Sequence, residues 1–394
     1  MMQLVFDPKI GIWTEGQEDV EKLSRNHFGS MRGGKLFLEP EEALYLMSFQ
    51  NAAVFTDSKR VAFSELAAHY SKAHPRLLIN YNAYRDWRDR GLVIRRMESV
   101  KPNIHAKGTK KYPSARMEPW KLDCGAVWYG KSKYSVIEDE KAGKQLFERY
   151  WLGQFGIYKQ ERGSLSWLDF LETIFLMKHF GLEVMDAETG KKLNHSQLMR
   201  YIVSEREYTK QLYEVYESWR LAGYVVKTGF KFGTHFRIYF PGASPAKGGE
   251  WVHSKHVLHV FPKEEKMLVS QWARIVRVAH SVKKTFILAI PKLKKADIAD
   301  YPADYMAYRR KKQGKDLVRE TPEDGPRYLL SAVSEDEHIG GIELASLLRK
   351  AQDMGLELIL SITDRETSVT YYVMKRIEIA ESDYEYYEIE WMKP

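Results

Sequence analysis

One cysteine, Cys124, is all that the 394 residues contain. A disulfide framework within the chain is therefore excluded, and so is a zinc site built on cysteine pairs. No apolar run approaches the roughly 20 residues needed to cross a bilayer. The opening Met1-Met2-Gln3-Leu4-Val5-Phe6 is interrupted by Asp7-Pro8 and is too short for a secretory leader. Carboxylates are scattered: Asp297, Asp300 and Asp304 lie in a connector, whereas a metal-dependent nuclease needs a tight cluster. His253-x2-His256-x2-His259 offers imidazoles, but strand alternation puts His256 and His259 on opposite faces, so they do not share one ion. The expectation is a chain in a reducing cytoplasm, without membrane partner, metal or cofactor.

What is present is size, modest positive charge and repetition. The length allows two to four domains and a sizeable core. A net charge of +8 and a pI near 9.1 favour a polyanionic partner. The phrase Tyr84-Arg85-Asp86-Trp87-Arg88-Asp89-Arg90-Gly91-Leu92-Val93-Ile94 is repeated as Tyr216–Val226. Phe28-Gly29 and Leu44–Met47 likewise correspond to Phe155-Gly156 and Ile174–Met177, so residues 20–95 and 147–227 read as two copies of one unit. A second repeat aligns His256–Ile290 with Tyr328–Ile362 at an offset of 72 positions (328 − 256). In it Arg277 meets Arg349, Lys284 meets Leu356, and His253 meets Gly325.

The informative stretch runs from Tyr216 to Ile290. Tyr208, Leu212, Val215, Tyr216 and Trp219 recur at helical spacing, and Gly223 suits the C-terminal cap. From Thr234 the pattern alternates, Phe236, Ile238 and Phe240 on one strand face and His235, Arg237 and Tyr239 on the other. A short strand over 256–261, a helix over 270–282 and a strand over Thr285–Ile290 follow. Lys284 falls where that helix gives way to that strand. Strand ends, loops and such junctions are places where polar groups meet outside a core.

The pattern Tyr-x2-Trp-Arg-x2-Gly-Tyr-Val-Val-Lys-Thr-Gly-x-Lys-Phe-Gly, then a Tyr, then His-Ser, then Ala-His-Ser-Val-x-Lys resembles the catalytic unit of the archaeal tRNA-splicing endonucleases. The resemblance covers nearly the whole chain and matches the three-unit form of that family, which pairs as a homodimer. It implies an α+β (mixed α/β) chain of repeated units. These are a truncated front unit over 1–100, a linker over 101–119, the N-terminal domain of the catalytic unit over 120–225 and a small mixed-sheet nuclease domain over 226–312. A linker over 313–326 and a degenerate nuclease-like copy over 327–394 close the chain. The tail Tyr384–Trp391 alternates and reads as one more strand.

The same resemblance implies cleavage of precursor tRNA at bulge-helix-bulge sites without metal, with Tyr239, His253 and Lys284 as the catalytic triad. Lys283 is the rival for the third place, and the family pattern favours Lys284. Such chemistry uses the neighbouring 2′-hydroxyl as nucleophile and needs a base, an acid for the leaving 5′-oxygen and positive charge on the phosphate. The family roles are Tyr239 as base, His253 as acid and Lys284 as stabiliser. A tyrosine, with a reference pKa of about 10, serves either as base or as a group that orients the 2′-hydroxyl, and the residues leave both open. Arg277 and Arg309 are implied to stack on a flipped-out bulge base. Asp364 and Glu366 are implied to form an acidic loop that docks the silent unit against a catalytic one. The alternative reading is a non-catalytic tRNA-binding or assembly subunit, against which the full set of triad residues in the middle unit argues.

Overall fold

The structure is a computed structural model and describes residues 2–97, 109–157, 162–205, 207–245, 253–380 and 382–394. Five helices orient the account: α1 (Leu77–Asp89), α2 (Glu140–Tyr150), α3 (Thr209–Leu221), α4 (Val269–Ser281) and α5 (Gly341–Asp353). Both sequence repeats are visible in them. α1 and α3 begin 132 positions apart (209 − 77), and α4 and α5 begin 72 apart (341 − 269). Trp87 on α1 and Trp219 on α3 occupy the same position and are both fully buried, as large aromatic anchors of their cores.

Each copy of α1 and α3 follows a six-stranded sheet of the same strand order. In the front copy the order is Ser30–Arg32, Lys35–Leu38, Gly11–Thr14, Gln3–Asp7, Ala53–Thr56, Lys59–Val61. In the middle copy it is Gln154–Phe155, Ser166–Asp169, Tyr134–Ile137, Gly125–Tyr129, Glu183–Asp186, Lys192–Leu193. Beyond these two small sheets lies one sheet of eleven strands. In chain order they are β1 (Ile94–Arg96), β2 (Lys110–Lys111), β3 (Val225–Thr228), β4 (Phe236–Tyr239), β5 (His256–Val260), β6 (Thr285–Ile290), β7 (Tyr305–Ala307), β8 (Tyr328–Ser334), β9 (Glu357–Thr363), β10 (Val369–Glu378) and β11 (Glu385–Met392). The order across the sheet is β3-β4-β5-β6-β11-β10-β9-β8-β7-β1, and β2 runs parallel to the end of β10.

That order corrects the expected division of the chain. β3, β4, β5 and β6 pair antiparallel, antiparallel, parallel; β1, β7, β8 and β9 pair in the same three senses. The strand that ends the front unit, β1, therefore completes the sheet of the back unit, with β7 between it and β8. The front and back units are two pieces of one copy, and the middle unit is inserted between them. Residues 305–307, assigned from sequence to the nuclease domain over 226–312, belong to the back copy. The physical reason is that the front unit ends in β1 with unpaired backbone groups, and pairing with β7 satisfies one edge of it.

Where described, neither connector is an extended linker. Residues 98–108 lie outside the described part. From 109 onward the segment packs: Tyr112 and Met117 are buried, and the amides of Ala115 and Met117 donate to the carbonyls of Ala222 and Leu221. Gly223, at φ +93°, makes room for it, since a Cβ there would lie 1.9 Å from the Ala115 carbonyl oxygen. The second connector holds a hairpin, Arg310–Gln313 with Asp316–Arg319. Among the described residues no helix is long and apolar enough to cross a membrane.

β11 lies at the seam, bonded to β6 on one side and β10 on the other. Ile389 on this strand is buried between the two halves, whereas Trp391 is 42% exposed. Ile389→Ala should cost about 2–5 kcal/mol, as cavity-forming substitutions do, and lower the melting temperature of the whole chain. Trp391→Ala should change it little; equal melting temperatures for the parent and the Ile389 variant would disprove the seam's importance.

Candidate active site

Three strand ends build the site. The register aligns Ile238 of β4 with His256 of β5 and His256 with Thr285 of β6. The Lys255 amide donates to the Ile238 carbonyl at 3.0 Å, and the Thr285 amide donates to the Lys255 carbonyl at 3.2 Å. Tyr239, Lys255 and Lys284 therefore lie at one level, a single residue beyond that aligned row. His253 stands two residues before Lys255 in the loop entering β5 and is exposed. The structure brings the sequence-expected Tyr239, His253 and Lys284 to the same end of three neighbouring strands.

The turn after α4 separates Lys284 from its rival. The Lys283 amide donates to the His280 carbonyl (2.9 Å) and the Lys284 amide to the Ala279 carbonyl (3.0 Å), with Lys283 at φ +55°. This is the paired bonding of a left-handed helix C-terminus, in which Lys283 is the turn residue and Lys284 the first residue released from it. Lys283 stays exposed. Lys284 reaches across the strand ends, and its Nζ donates to the carbonyl of Ser254, next to His253, at 2.6 Å. Its Nζ also lies 5.5 Å from the centre of the Phe232 ring. Burial lowers the Lys284 pKa below the ordinary lysine value, and Arg237 and Lys255 lower it further by repulsion. Beside Lys284 a groove of about 440 Å³ is lined by His280, Lys283, Thr285, Glu390 and Trp391.

Tyr239 shares a strand face with Arg237 and is nevertheless buried. Only 4% of it is exposed, and it forms a small cluster with Val225, Ala243 and the half-buried Trp151, whose ring centre lies 4.9 Å away. The end of α2 covers it, a wall contributed by the preceding domain. Arg237, two residues earlier on the same strand, places its guanidinium 6.0 Å from the Tyr239 ring and bonds the Thr228 carbonyl at 2.8 Å. Arg237 and Lys255 were not singled out from sequence. Arg237 was detectable, because the alternation places it beside Tyr239; Trp151 was not, because no local pattern links it to β4.

The remaining expected residues are spread out. Arg277 is exposed on α4, near the Tyr372 hydroxyl, whose pKa burial raises and Arg277 partly lowers. Arg309 does not join it. It follows β7 in the back copy, its amide donating to Glu320 at 3.2 Å. The strand beside β6 is β11 and not the strand leading to Arg309, so the expected arginine pair is corrected within one chain. Asp364 holds its own hairpin turn between β9 and β10, accepting from the amides of Glu366 (3.0 Å) and Ser368 (2.9 Å). Glu366 is exposed there. His259 stacks on His235 at 4.2 Å, separate from His256, and no group of three or more metal-capable side chains forms among the described residues.

The back copy shows the same strand ends without the lysine. β1 and β7 pair with the register of β3 and β4, so Tyr308, whose amide bonds the Val93 carbonyl, stands where Tyr239 stands. Tyr308 is fully buried. Leu356 replaces Lys284 after the same left-handed turn, here made by Gly355 at φ +72°. Glu320, fully buried, accepts from Arg327, the counterpart of Lys255, at 2.9 Å.

A family model described as tRNA intron endonuclease, catalytic C-terminal domain, matches residues 209–298, and one described as tRNA intron endonuclease, N-terminal domain, matches residues 9–67. The tRNA-splicing endonuclease of Thermococcus kodakarensis is 31% identical over 182 residues, 46% of this chain and 99% of that protein. That of Methanopyrus kandleri is 30% identical over 152 residues, 39% of this chain and 79% of its own. That of Thermoplasma volcanium is 25% identical over 280 residues, 70% of this chain and 88% of its own.

His256, beside the site, is 7% exposed between Tyr112 and Phe240, and burial holds its pKa down at about 4. It is neutral when folded, while the unfolded chain takes up the proton near pH 6.5. Its contribution is therefore complete above pH 6.5 and is lost as the pH falls toward 4, a change of roughly 3 kcal/mol at most. Urea midpoints of His256→Phe should fall less steeply between pH 7 and pH 4.5 than those of the parent; identical slopes would refute this.

Proposed function

The chain belongs to the tRNA-splicing endonuclease family, and from that premise we propose that it cuts introns from precursor tRNA at bulge-helix-bulge sites by metal-independent acid-base catalysis. The observation that carries the reading is the bond from Lys284 Nζ to the Ser254 carbonyl, which ties the lysine to the loop that presents His253, one strand away from Tyr239. In this mechanism Tyr239 receives or orients the proton of the 2′-hydroxyl. Arg237, Lys255 and Lys284 surround the scissile phosphate with positive charge, and nearby cations favour the phenolate. His253, exposed at the rim, protonates the departing 5′-oxygen. The 2′-oxygen attacks phosphorus as the P–O5′ bond breaks, leaving a 2′,3′-cyclic phosphate and a 5′-hydroxyl. Incubation of an intron-containing precursor in EDTA should yield those ends. His253→Ala should slow cleavage by ~10²–10⁴-fold while the precursor stays bound. Loss of all activity on chelation, restored by a divalent ion, would overturn the metal-independent mechanism, and an undiminished rate in His253→Ala would overturn the acid assignment.

Two cuts on one precursor call for two centres facing it, and the back copy lacks the lysine and the histidine. A C2 homodimer supplies the second centre by symmetry. In this arrangement each triad is built within one chain, and Arg277 with the partner's surface grips the bulge. The turn bearing Asp364 and Glu366 helps to dock a silent copy against a catalytic one. Light scattering should give twice the chain mass of 46.1 kDa. A mixture of His253→Ala and Lys284→Ala chains should remain inactive. A fully active monomer, or full-rate cleavage by the mixture, would refute the arrangement.

A further inference from the structure

We propose that Trp151 is a positioning residue for cleavage: its indole holds the Tyr239 ring in the one orientation from which the phenol meets the reacting 2′-hydroxyl. The inference rests on the reading that Tyr239 takes part in the reaction. The corner that carries Trp151 is firmly made. Trp151 caps α2 at φ +49°, a conformation that bulky L-residues disfavour. Arg220, fully buried, overrides that preference by donating to the carbonyls of Tyr150 (3.0 Å) and Trp151 (3.1 Å) and to the Tyr216 hydroxyl (3.1 Å). The indole then lies against the Tyr239 ring, 4.9 Å between centres and tilted by 50°.

The chain beyond Tyr239 is fastened to the same helix end. The Ser244 hydroxyl donates to the Glu148 carbonyl at 3.1 Å, and Ala243 packs into the same cluster. Tyr239 is thus walled by Val225 on its own sheet, by Ala243 after it and by Trp151 across the domain boundary. A tyrosine so enclosed has lost the freedom to swing about its first side-chain torsion. Misplacing a reacting group by about 1 Å is enough to cost ~10²-fold in rate.

The silent copy supplies an internal control. Its corner has the same alternation of left-handed residues: His27 (φ +58°) and Gly29 (φ +63°) correspond to Trp151 (φ +49°) and Gly153 (φ +71°), which corrects the pairing of Phe28-Gly29 with Phe155-Gly156 expected from sequence. Gly29 and Gly153 donate their amides to the matching buried carboxylates Glu42 and Glu172, and Arg88 binds the Asn26 carbonyl as Arg220 binds that of Tyr150. The backbone of the corner survives there, and so does the tyrosine, Tyr308. The indole does not: His27 occupies its place, and among the described residues no ring packs on Tyr308. The scaffold needs the corner in both copies; only the copy with Lys284 and His253 has a tryptophan on it.

A double-mutant cycle under single-turnover conditions tests this, with Trp151→Ala, Tyr239→Phe, the double variant and Trp151→Phe. We expect Trp151→Ala to slow cleavage by ~10–100-fold with precursor affinity within about twofold of the parent, and Trp151→Phe to recover most of the rate. In the Tyr239→Phe background the Trp151→Ala change should cost less than about twofold, since the two act as one unit. A purely structural tryptophan would cost the same factor in both backgrounds, and that outcome, or a parental rate in Trp151→Ala, overturns the inference alone. Parental cleavage by Tyr239→Phe would overturn the role of Tyr239 and this inference with it. Should Trp151→Ala fail to fold by circular dichroism, the same cycle run with Trp151→Met decides by the same criterion.

Discussion

The bonding of β11 between β6 and β10 is the constraint on which the rest depends. Without it the four strands ending in β6 and the five ending in β10 have bare edges, and bare edges pair with whatever is near. With it they form one continuous sheet, and the start of β6, where Lys284 emerges, is held at a fixed height beside β5. A buried carboxylate sits in the middle of the seam. Glu388 is 4% exposed and would be strongly destabilising if unpaired. The Lys110 Nζ donates to it at 3.0 and 3.1 Å, and the Tyr112 hydroxyl bonds it as well. Both partners come from the segment that leads into the middle copy. The tail, the seam and that segment are therefore one cooperative element: each supplies what leaves another's buried group satisfied.

The local layers of this arrangement were legible in sequence. Helical spacing placed α3 and α4, period-2 alternation placed β4, and the repeat offset placed α5, β8 and β9 with the loss of Lys284 at Leu356. These signals are local, because side-chain burial on one element imposes them. What was not legible is which strand lies beside which. β1 and β7 are separated by more than two hundred residues of chain, and their pairing is decided by an unfilled edge that no short window contains. The assignment of Arg309 failed for that reason: it relied on β7 closing the catalytic half, a place that β11 takes. Tyr239 was identified but its surroundings were not, because the wall that buries it comes from α2, in the preceding domain. Arg237 lay in view on the alternating face, and charge near a phenol was the signal for it.

Features that are odd in one copy taken alone make sense beside the other copy. A left-handed turn must follow α4 and α5 for the chain to enter the sheet. Gly355 makes it in the back copy without strain, whereas Lys283 makes it in the catalytic copy against the preference of L-residues. Strained non-glycine residues gather at functional sites, and this one stands next to Lys284 in a groove with His280 and Trp391. At the level of Lys255 the back copy has Arg327, and there the fully buried Glu320 pairs with it.

The interdomain boundary then has a reason to be polar. Lys227 on β3 is buried against Glu172, with its Nζ 2.7 Å from the carboxylate and 2.8 Å from the Gly153 carbonyl. Glu172 also accepts from the Gly153 amide at 3.0 Å and caps its own helix through Asp169. Burial lowers the Lys227 pKa while the attraction of Glu172 opposes it, so the pair survives only where both geometries are met. An apolar contact between the domains would tolerate sliding; a buried ion pair that also bonds a glycine two residues past Trp151 tolerates one register. The β3–β4 hairpin therefore meets the end of α2 in a single alignment. Tyr239 inherits that alignment, since its ring is enclosed by β3 on one side and by the α2 corner on the other.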